Sequence, residues 1–413
     1  MLNNAFGRDI MARFRKLKGV RKLPHRSGLR GALRRSNLAP FLSLFGIIIG
    51  ILAFAALIMY VLLPAILPRM GLEYNPPFIP TPTPSPTPAP TPTPNPLDVF
   101  DPYADAAEIV IDGTEFTWFA DPYYSDGKIV FSGGRLVDND VMHDTIFMFD
   151  PVTRDYEKLD YAIKNTHILY PRMNSDWLVF LDSKATGGGQ IVAIDRKTEG
   201  SEPIVVKDVY VGQPEIKLDG NYLAWTERTG TRMDKLFVCD LTTLETTTLA
   251  MFRNSVFGMS IPSLMDGVVA WALSDDASVD DDSAKGLISY IAIDGGSLES
   301  LKTNTYVHDP ESNGRYFCWL DSNHDENAKL YGTDGKNEPT LIAEGVVEFG
   351  LNDDYVVYGK NEVVWLYSFT TEKEYRLTPM DENAQFIGVS NDMVFWYDVS
   401  TRGRDVVKYL LIP

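Results

Sequence analysis

The sequence has few cysteines and lacks the short motifs of common catalytic and nucleotide-binding sites. Its 413 residues include only Cys239 and Cys318, too few for a disulfide-held fold. Each lies in an apolar, strand-like run, so we expect both to be buried, reduced and structural. H-E-x-x-H, C-x-x-C, G-x-S-x-G and Walker sequences are all missing. These absences lower the expectation of an enzyme, although a site can be assembled from segments distant in sequence.

Charge is absent between residues 37 and 68. The apolar segment 41–67 is long enough for a transmembrane helix, which needs about 20 residues. Eleven Lys and Arg residues precede it, against the single acid Asp9. Because basic residues stay on the cytoplasmic side, residues 1–40 are predicted to form a cytoplasmic tail, and everything after Arg69 is predicted to lie outside. A cleaved signal peptide is the alternative, but its apolar region is shorter and ends in small residues.

The net charge of −18 hides a division between these parts of the chain. Residues 1–69 carry a net charge of +11 and the remainder a net charge of −29. The acidic outer part disfavours nucleic acid and favours cationic partners or metal ions. Solubility is the simpler explanation of this acidity. The basic tail is expected to set the topology and to lie against anionic lipid headgroups.

Proline is concentrated in residues 76–96, where it occupies eleven of twenty-one positions. Proline fixes φ and removes a backbone donor, so alternating Thr-Pro excludes both helix and sheet. Residues 68–97 are therefore predicted to form a disordered, polyproline-type stalk of about 3.1 Å per residue. Recognition by a proline-binding partner and O-linked sugars are alternative roles. The alternating Thr-Pro repeats resemble the linkers of Gram-positive surface proteins, and the lack of N-x-Ser/Thr sequons favours a bacterial surface. The expected location is therefore the cell membrane of a Gram-positive bacterium.

The remaining residues, 98–413, contain an internal repeat. A four-residue apolar element ending in an aromatic residue recurs seven times at intervals of 38 to 49 residues, each time after a turn signal such as Asp126-Gly127. The elements are KIVF (128–131), WLVF (177–180), YLAW (222–225), VVAW (268–271), YFCW (316–319), YVVY (355–358) and MVFW (393–396). A second strand-like element follows in each unit and ends in Asp in five units, and units 1 to 6 add a short outer strand. Four strands per unit predict an all-β fold, a β-propeller.

The number of blades depends on one strand that belongs to no complete unit. The seventh unit ends after its third strand at residues 406–411, and residues 108–111 form an isolated strand after the stalk. Pairing the two would supply the missing outer strand, hide a sheet edge and close seven blades. Six blades with an extra sheet are the alternative.

These units resemble the blades of TolB-type and WD40-like bacterial propellers. Their repeat runs from an Asp-Gly turn through an apolar strand and a loop to a strand of the form I-Y-x-x-D. The resemblance covers about residues 114–412 and implies a propeller architecture. It implies no single function, because such blades serve binding proteins, scaffolds and enzymes alike. The basic tail, apolar segment and stalk have no counterpart in soluble TolB, so TolB's partners are not expected here.

One loop has the start of a calcium-binding pattern. Asp321, Asn323 and Asp325 place oxygen ligands at alternate positions. The pattern then fails, because Glu326 stands where the sharp turn needs glycine and Gly332 where a bidentate glutamate is needed. A solvated acidic turn is the alternative, and no cofactor other than Ca²⁺ is predicted.

The loops between the second and third strands of several units are long and acidic. Their acidic residues are Asp138, Asp140, Asp144, Asp275, Asp276, Asp280, Asp281, Asp282, Asp321, Asp325 and Glu326. Since such loops emerge on one face of a propeller, they predict a lopsided acidic rim. We expect this rim to recruit a cationic partner or Ca²⁺, with an attraction that salt weakens.

Taken together, the patterns favour a non-enzymatic binding or scaffold module at the cell surface, with a protein, peptide or glycan as its partner. The alternatives are a propeller enzyme with an axial site, such as a polysaccharide lyase or hydrolase, and a structural component of an envelope assembly. Convergent His, Arg, Tyr and acidic side chains at the axis would favour the enzyme. A broad aromatic or acidic face would favour binding. Gly46 and Gly50 have the spacing of a helix-pairing motif, so a helix-mediated dimer is a further alternative.

Overall fold

The computed structural model describes ten segments of the chain. They are residues 39–70, 95–111, 116–137, 140–161, 163–230, 233–253, 260–274, 286–322, 327–400 and 406–413. The chain divides into two compact units, Met1–Pro92 and Thr93–Pro413.

The described part of the first unit is helical. It consists of α1 (Ala39–Leu57), a π-helical turn (Ile58–Leu62), α2 (Leu63–Ile66) and a 3₁₀ turn (Leu67–Met70). Because Pro64 lacks an N–H group and its ring crowds the carbonyl four residues earlier, the local widening of the helix before it has a direct cause. The 23 residues Leu44–Ile66 have a mean hydropathy of 2.8 and are long and apolar enough to cross a membrane. The anchor and its orientation stay predictions.

The described strands of the second unit form seven antiparallel sheets of four strands each. In six sheets the strands are consecutive in sequence. The first strand of each sheet contacts the first strands of the two neighbouring sheets, so these seven strands surround a common axis. The fold is a seven-bladed β-propeller. The predicted fold class and blade number are confirmed, and the six-bladed alternative is excluded.

The blades are numbered in chain order from the strand that lines the axis. Blades 1 and 2 contain β2 (Trp118–Ser125), β3 (Lys128–Val137), β4 (Asp140–Phe149), β5 (Tyr156–Leu159), β6 (His167–Met173), β7 (Trp177–Ser183), β8 (Gly189–Asp195) and β9 (Ile204–Val209). Blades 3 and 4 contain β10 (Lys217–Asp219), β11 (Tyr222–Gly230), β12 (Met233–Asp240), β13 (Glu245–Arg253), β14 (Ser263–Met265), β15 (Val268–Ser274), β16 (Gly286–Ala292) and β17 (Glu299–Lys302). Blades 5 and 6 contain β18 (His308–Ser312), β19 (Phe317–Leu320), β20 (Lys329–Thr333), β21 (Thr340–Glu344), β22 (Val346–Asn352), β23 (Tyr355–Lys360), β24 (Val363–Ser368) and β25 (Lys373–Arg376).

Blade 7 closes the ring with strands from both ends of the propeller sequence. It contains β26 (Ala384–Ser390), β27 (Met393–Asp398), β28 (Val406–Leu411) and, as its outer strand, β1 (Ala107–Val110). Ala107 pairs with Tyr409 and Val110 with Val406, so the closure predicted for residues 108–111 is confirmed. Two short helices, α3 (Pro96–Val99) and α4 (Pro102–Asp105), precede β1.

The repeated aromatic residues form the centres of the blade interfaces. All seven are at most 4% exposed: Phe131, Phe180, Trp225, Trp271, Trp319, Tyr358 and Trp396. Each ends the four-residue apolar element on the second strand of its blade, where adjacent sheets pack face to face. Cys239 and Cys318 are buried and free, as predicted.

The polar residues of the repeat shape the turns. Asp126 and Gly127 have φ values of +51° and +73°, as a two-residue hairpin with the twist of the flanking strands requires. Four of the five aspartates at the ends of the third strands, namely Asp150, Asp195, Asp240 and Asp334, accept hydrogen bonds from the following backbone. Asp150 Oδ1, for example, accepts from the amides of Val152 and Thr153 at 2.8 and 3.1 Å. The recurring turn residues and aspartates of the repeat therefore have a structural role.

Antiparallel strands give the propeller two distinct faces. The turn face carries the hairpins between first and second strands, such as Asp126-Gly127. The loop face carries the connections between second and third strands, and each inner strand starts there and runs toward the turn face.

Candidate functional site

A proline lies within, or up to three residues before, five of the inner strands: Pro122, Pro171, Pro214, Pro262 and Pro310. Proline is tolerated because the innermost strand of a blade is a sheet edge. In blades 1, 2 and 5 the preceding residue has a left-handed φ, at Asp121 (+53°), Tyr170 (+52°) and Asp309 (+43°). The strand register shifts at these three positions. Such bulges re-aim side chains, and each left-handed residue costs about 1–3 kcal/mol, a strain that concentrates at functional sites.

The residues that follow these prolines carry the functional groups of the axis. They are Tyr123, Arg172, Glu215, Ser263 and Glu311. Four of them, together with charged residues of neighbouring positions, line a cavity of about 260 Å³ on the turn-face side, here called the axial pocket. Its charged lining comprises Asp121, Arg172, Lys217, Asp219, Asp266, Glu311 and Asp353.

A smaller cavity of about 40 Å³, here called the upper cavity, lies toward the loop face. Its lining includes Glu215, Asp309 and Glu348 from the starts of the inner strands. Lys217 and Glu311 line both cavities, so they form the partition between them.

Arg172, Glu215 and Lys217 form an ion-pair network across blades 2 and 3. Glu215 Oε1 lies 2.7 Å from Lys217 Nζ and 3.4 Å from Arg172 Nη2. Burial alone would raise the pKa of Glu215, but Lys217 and Arg172 outweigh it and lower that pKa. Burial alone would lower the pKa of Lys217, but Glu215 and Glu311 outweigh it and raise that pKa. All three side chains are therefore charged at neutral pH.

Glu311 has a different environment. Its Oε2 accepts a hydrogen bond from the backbone amide of Leu351 in blade 6. Burial raises the pKa of Glu311 to about 7, against the lowering effects of Lys217 and of the Leu351 amide. A carboxyl group that titrates near neutrality can exchange protons with a bound molecule.

Two further acids, Asp121 and Asp266, lie at different depths in the axial pocket. Asp121 Oδ2 accepts from the amide of Tyr170 at 2.9 Å, and burial raises its pKa. Asp266 lies at the mouth on the turn face, where burial raises its pKa and the nearby carboxylates of Asp353 and Asp219 raise it further. Asp219 Oδ2 accepts from the amide of Gly267 at 2.6 Å. The mouth is thus acidic, and the two cations lie deeper.

Most of the site residues predicted from the acidic loops lie outside the described residues. These are Asp138, Asn323, Asp325 and Glu326, and Asp275, Asp276, Asp280, Asp281 and Asp282 of the long blade 4 loop. Asp140 starts β4, and Asp144 lies on the same strand near the loop face. The rim and its cationic partner stay predictions.

Asp321 is the one described member of the calcium pattern. Its Oδ1 accepts from the amide of Lys329 at 2.9 Å, and its own amide donates to the carbonyl oxygen of Lys329 at 3.1 Å. Asp321 thus closes the hairpin between β19 and β20. Among the described residues, no group of three or more His, Cys, Asp or Glu side chains could hold a metal ion.

Catalytic and binding motifs did not reveal the axial residues, because such motifs are contiguous in sequence and the axial residues are not. A signal was present: a proline recurs at blade spacing directly before Tyr123, Arg172, Glu215, Ser263 and Glu311, and proline within a sheet is confined to edge strands and bulges. The arrangement meets the stated criterion for an axial enzyme in its Arg, Tyr and acidic side chains. The criterion is not met for histidine, because His308 is buried and does not line the axial pocket. His308 Nε2 lies 3.5 Å from Asp309 Oδ2.

Comparison with known proteins identifies the fold. No protein-family model and no curated protein sequence matches the chain. The β-propeller domain of the Trilobed protease from Pyrococcus furiosus, described as having an open velcro topology, aligns with a TM-score of 0.54 at 14% identity, over 71% of this chain and 92% of that one. The acylaminoacyl peptidase of Pyrococcus horikoshii aligns with a TM-score of 0.51 at 14% identity, over 73% of this chain and 53% of that one.

The chain therefore spans about half the length of that peptidase. At these identities the likeness shows the fold alone, and the resemblance to TolB-type repeats stays a prediction. The chain is a seven-bladed β-propeller whose structural neighbours include the propeller domains of peptidases.

Proposed function

We propose that this chain is a membrane-tethered, extracytoplasmic binding module whose axial pocket holds a small polar ligand. The observation that carries the proposal is the convergence of Arg172, Lys217 and Glu311 from three blades on one cavity of about 260 Å³. Cavities of roughly this size and above, with a few convergent polar groups, are the usual binding sites of small molecules.

Stability alone is a poor explanation of these charges. Removing an ion from water costs several kcal/mol even after relaxation, and well-packed apolar residues usually serve a purely structural axis as well or better. The three strained residues before the prolines add to that cost. A ligand that pairs with these charges accounts for both the buried ions and the strained residues.

A direct test uses the full chain in lipid nanodiscs, incubated with a low-molecular-mass extract of the cell envelope and examined by native mass spectrometry. We expect a bound small molecule on the wild type and its loss in Lys217→Met. The control is Lys329→Met, which removes a lysine paired with Glu344 at the surface, 3.3 Å away. Equal retention by both variants, or no bound molecule on the wild type, would contradict the proposal.

The tether is tested separately by cysteine labelling of wall-stripped cells. Cys239 and Cys318 are buried, so the background labelling of the wild type is low. We expect a membrane-impermeant maleimide to label Ser85→Cys and not Ser27→Cys, because the basic tail holds residue 27 in the cytoplasm. Labelling of Ser27→Cys alone would reverse the orientation.

An enzyme with an axial site is the second candidate. The observation that favours it is Glu311, whose pKa of about 7 and position beside Lys217 suit a group that transfers a proton. If the bound molecule is converted, Glu311→Gln should abolish its conversion and leave its binding intact. Unchanged conversion by Glu311→Gln would exclude this role.

A further inference from the structure

We propose that the axial pocket is built for a zwitterion whose ammonium group lies at the acidic mouth and whose carboxylate lies deeper, between Arg172 and Lys217. This inference rests on the proposed function and names the class of ligand that the same pocket takes. It follows from the placement of fixed charges of both signs at two depths along the axis.

The deep layer is defined by strand register. Arg172 pairs with Val179 and Lys217 with Ala224, and each of these partners is the third residue of its blade's four-residue apolar element. Both cations therefore stand at one level of the axis, on adjacent blades. Both also line the axial pocket.

The cations keep donors for a ligand. Among the described residues, Lys217 Nζ has one acceptor, Glu215 Oε1, although an ammonium group can donate three hydrogen bonds. The Arg172 guanidinium donates to Glu215 and, through Nη1, to the carbonyl oxygens of Asp121 and Pro171, which leaves part of its five-donor fork unused. A carboxylate is the group that best fits a guanidinium and an ammonium side by side.

The mouth layer begins two residues further along the strand. Asp219 pairs with Tyr222, whereas Lys217 pairs with Ala224, so the two levels are about 6.6 Å apart at 3.3 Å per residue. Asp266 and Asp353 follow the inner strands of blades 4 and 6, one residue beyond this level at the mouth, and within the described residues none of the three forms an ion pair with a cation. An ammonium group placed there would relieve the repulsion among the three carboxylates.

The spacing selects the length of the ligand. An extended dipeptide spans about 7 Å from its amino to its carboxyl end, which matches the separation of the two levels. An α-amino acid is too short to reach both levels. Glycylglycine is therefore the simplest probe, because it carries the two charges and no side chain.

The experiment measures by calorimetry the affinity of the full chain in nanodiscs for three probes that share the glycylglycine backbone. Glycylglycine carries both charges, N-acetyl-glycylglycine lacks the ammonium group, and glycylglycinamide lacks the carboxylate. We expect each blocked probe to bind roughly tenfold or more weakly than glycylglycine.

Two variants assign each charge to its level. Asp266→Asn should weaken glycylglycine and leave N-acetyl-glycylglycine unchanged, whereas Lys217→Met should weaken glycylglycine and leave glycylglycinamide unchanged. Equal affinity for glycylglycine and either blocked probe would overturn the inference. If no probe binds while the envelope extract still yields a ligand that depends on Lys217, the zwitterion is wrong and the proposed function stands. If the extract yields none either, both fail.

Discussion

Asn391 in the last blade donates a hydrogen bond of 2.5 Å from Nδ2 to the carbonyl oxygen of Tyr124 in the first blade, 267 residues away in sequence. The same relation joins Asn174 to the carbonyl of Gly220 at 2.7 Å and Asn313 to that of Asp353 at 2.8 Å. An asparagine on the turn face thus bonds the next blade at three seams, and the seam where the ring closes is one of them. The last interface is built like the internal ones.

Closure should depend on the buried face of β1. Ile109 is 1% exposed and packs in the core between blades 7 and 1, whereas Val110 on the same strand is 41% exposed. We expect Ile109→Ala to cost about 2–5 kcal/mol of unfolding free energy, because it leaves a cavity, and Val110→Ala to cost less than about 1 kcal/mol. Thermal and urea unfolding measure both. Equal losses would show that burial on β1 does not hold the ring closed.

The axial ion-pair network should be far more sensitive than a surface pair of the same chemistry. Glu215→Gln leaves Lys217 and Arg172 without their carboxylate in a confined cavity, which should cost about 3–5 kcal/mol. The matched control is Glu344→Gln, whose partner Lys329 is 41% exposed and which should change stability by less than about 1 kcal/mol. Denaturant titration compares the two. Similar effects of the two substitutions would mean that water screens the charges at the axis as fully as it screens a surface ion pair.

Glu311 should make stability fall as pH rises. Its pKa in the folded chain is about 7, above its ordinary value of 4.5, so between these pH values the folded state keeps a proton that the unfolded state has lost. Stability from this group is complete below pH 4.5 and is lost as pH rises through 7. Glu311→Gln mimics the protonated form, so it should melt near the wild type at pH 4.5 and several degrees higher at pH 8. The same difference at both pH values would refute the shifted pKa.

The indole groups of Trp396 and Trp271 should contribute differently to the free energy of unfolding. Trp396 Nε1 donates to Glu382 at 2.6 Å in a buried setting, whereas the buried Trp271 Nε1 has no acceptor among the described residues. Replacement by Phe removes similar volume in each case. Trp396→Phe should therefore cost about 1–3 kcal/mol more than Trp271→Phe, the worth of a hydrogen bond to a charged group. Melting curves of the two variants supply the comparison, and equal costs would remove the hydrogen bond as the cause.

The fold was predictable because its signals are local. A turn such as Asp126-Gly127, an apolar run such as that ending in Phe131 and an aspartate such as Asp150 are each set by residues within one hairpin. The turn and the apolar run recur in all seven units, and the aspartate recurs in five. The partner of β1 could also be inferred, because one strand was left over and one blade was incomplete. Six blades with an extra sheet stayed open as the alternative, and the structure shows the predicted pairing, with Ala107 opposite Tyr409.

The site was not predictable by the same means. Arg172 and Glu215 are 43 residues apart and meet only because adjacent blades place their inner strands side by side. The distribution of acidic residues in the sequence instead predicted a binding site at Asp280 and its neighbours, which form the densest acidic run. Density of charge in one loop says nothing about which charged groups a ring brings together, whereas the repeated proline before Tyr123, Arg172 and Glu311 does carry that information.

The joining of β1 to β28 also fixes the order in which the chain can fold. Six blades form from strands that emerge from the ribosome consecutively, so each can assemble as soon as it is made. The seventh requires an encounter between residues about 300 positions apart, and long-range pairing of this kind is slow. Until it occurs, the outer edge of β28 stays open to the β1 strand of a second copy, with identical register. Where many new chains gather, strand exchange between copies is therefore the competing product of ring closure.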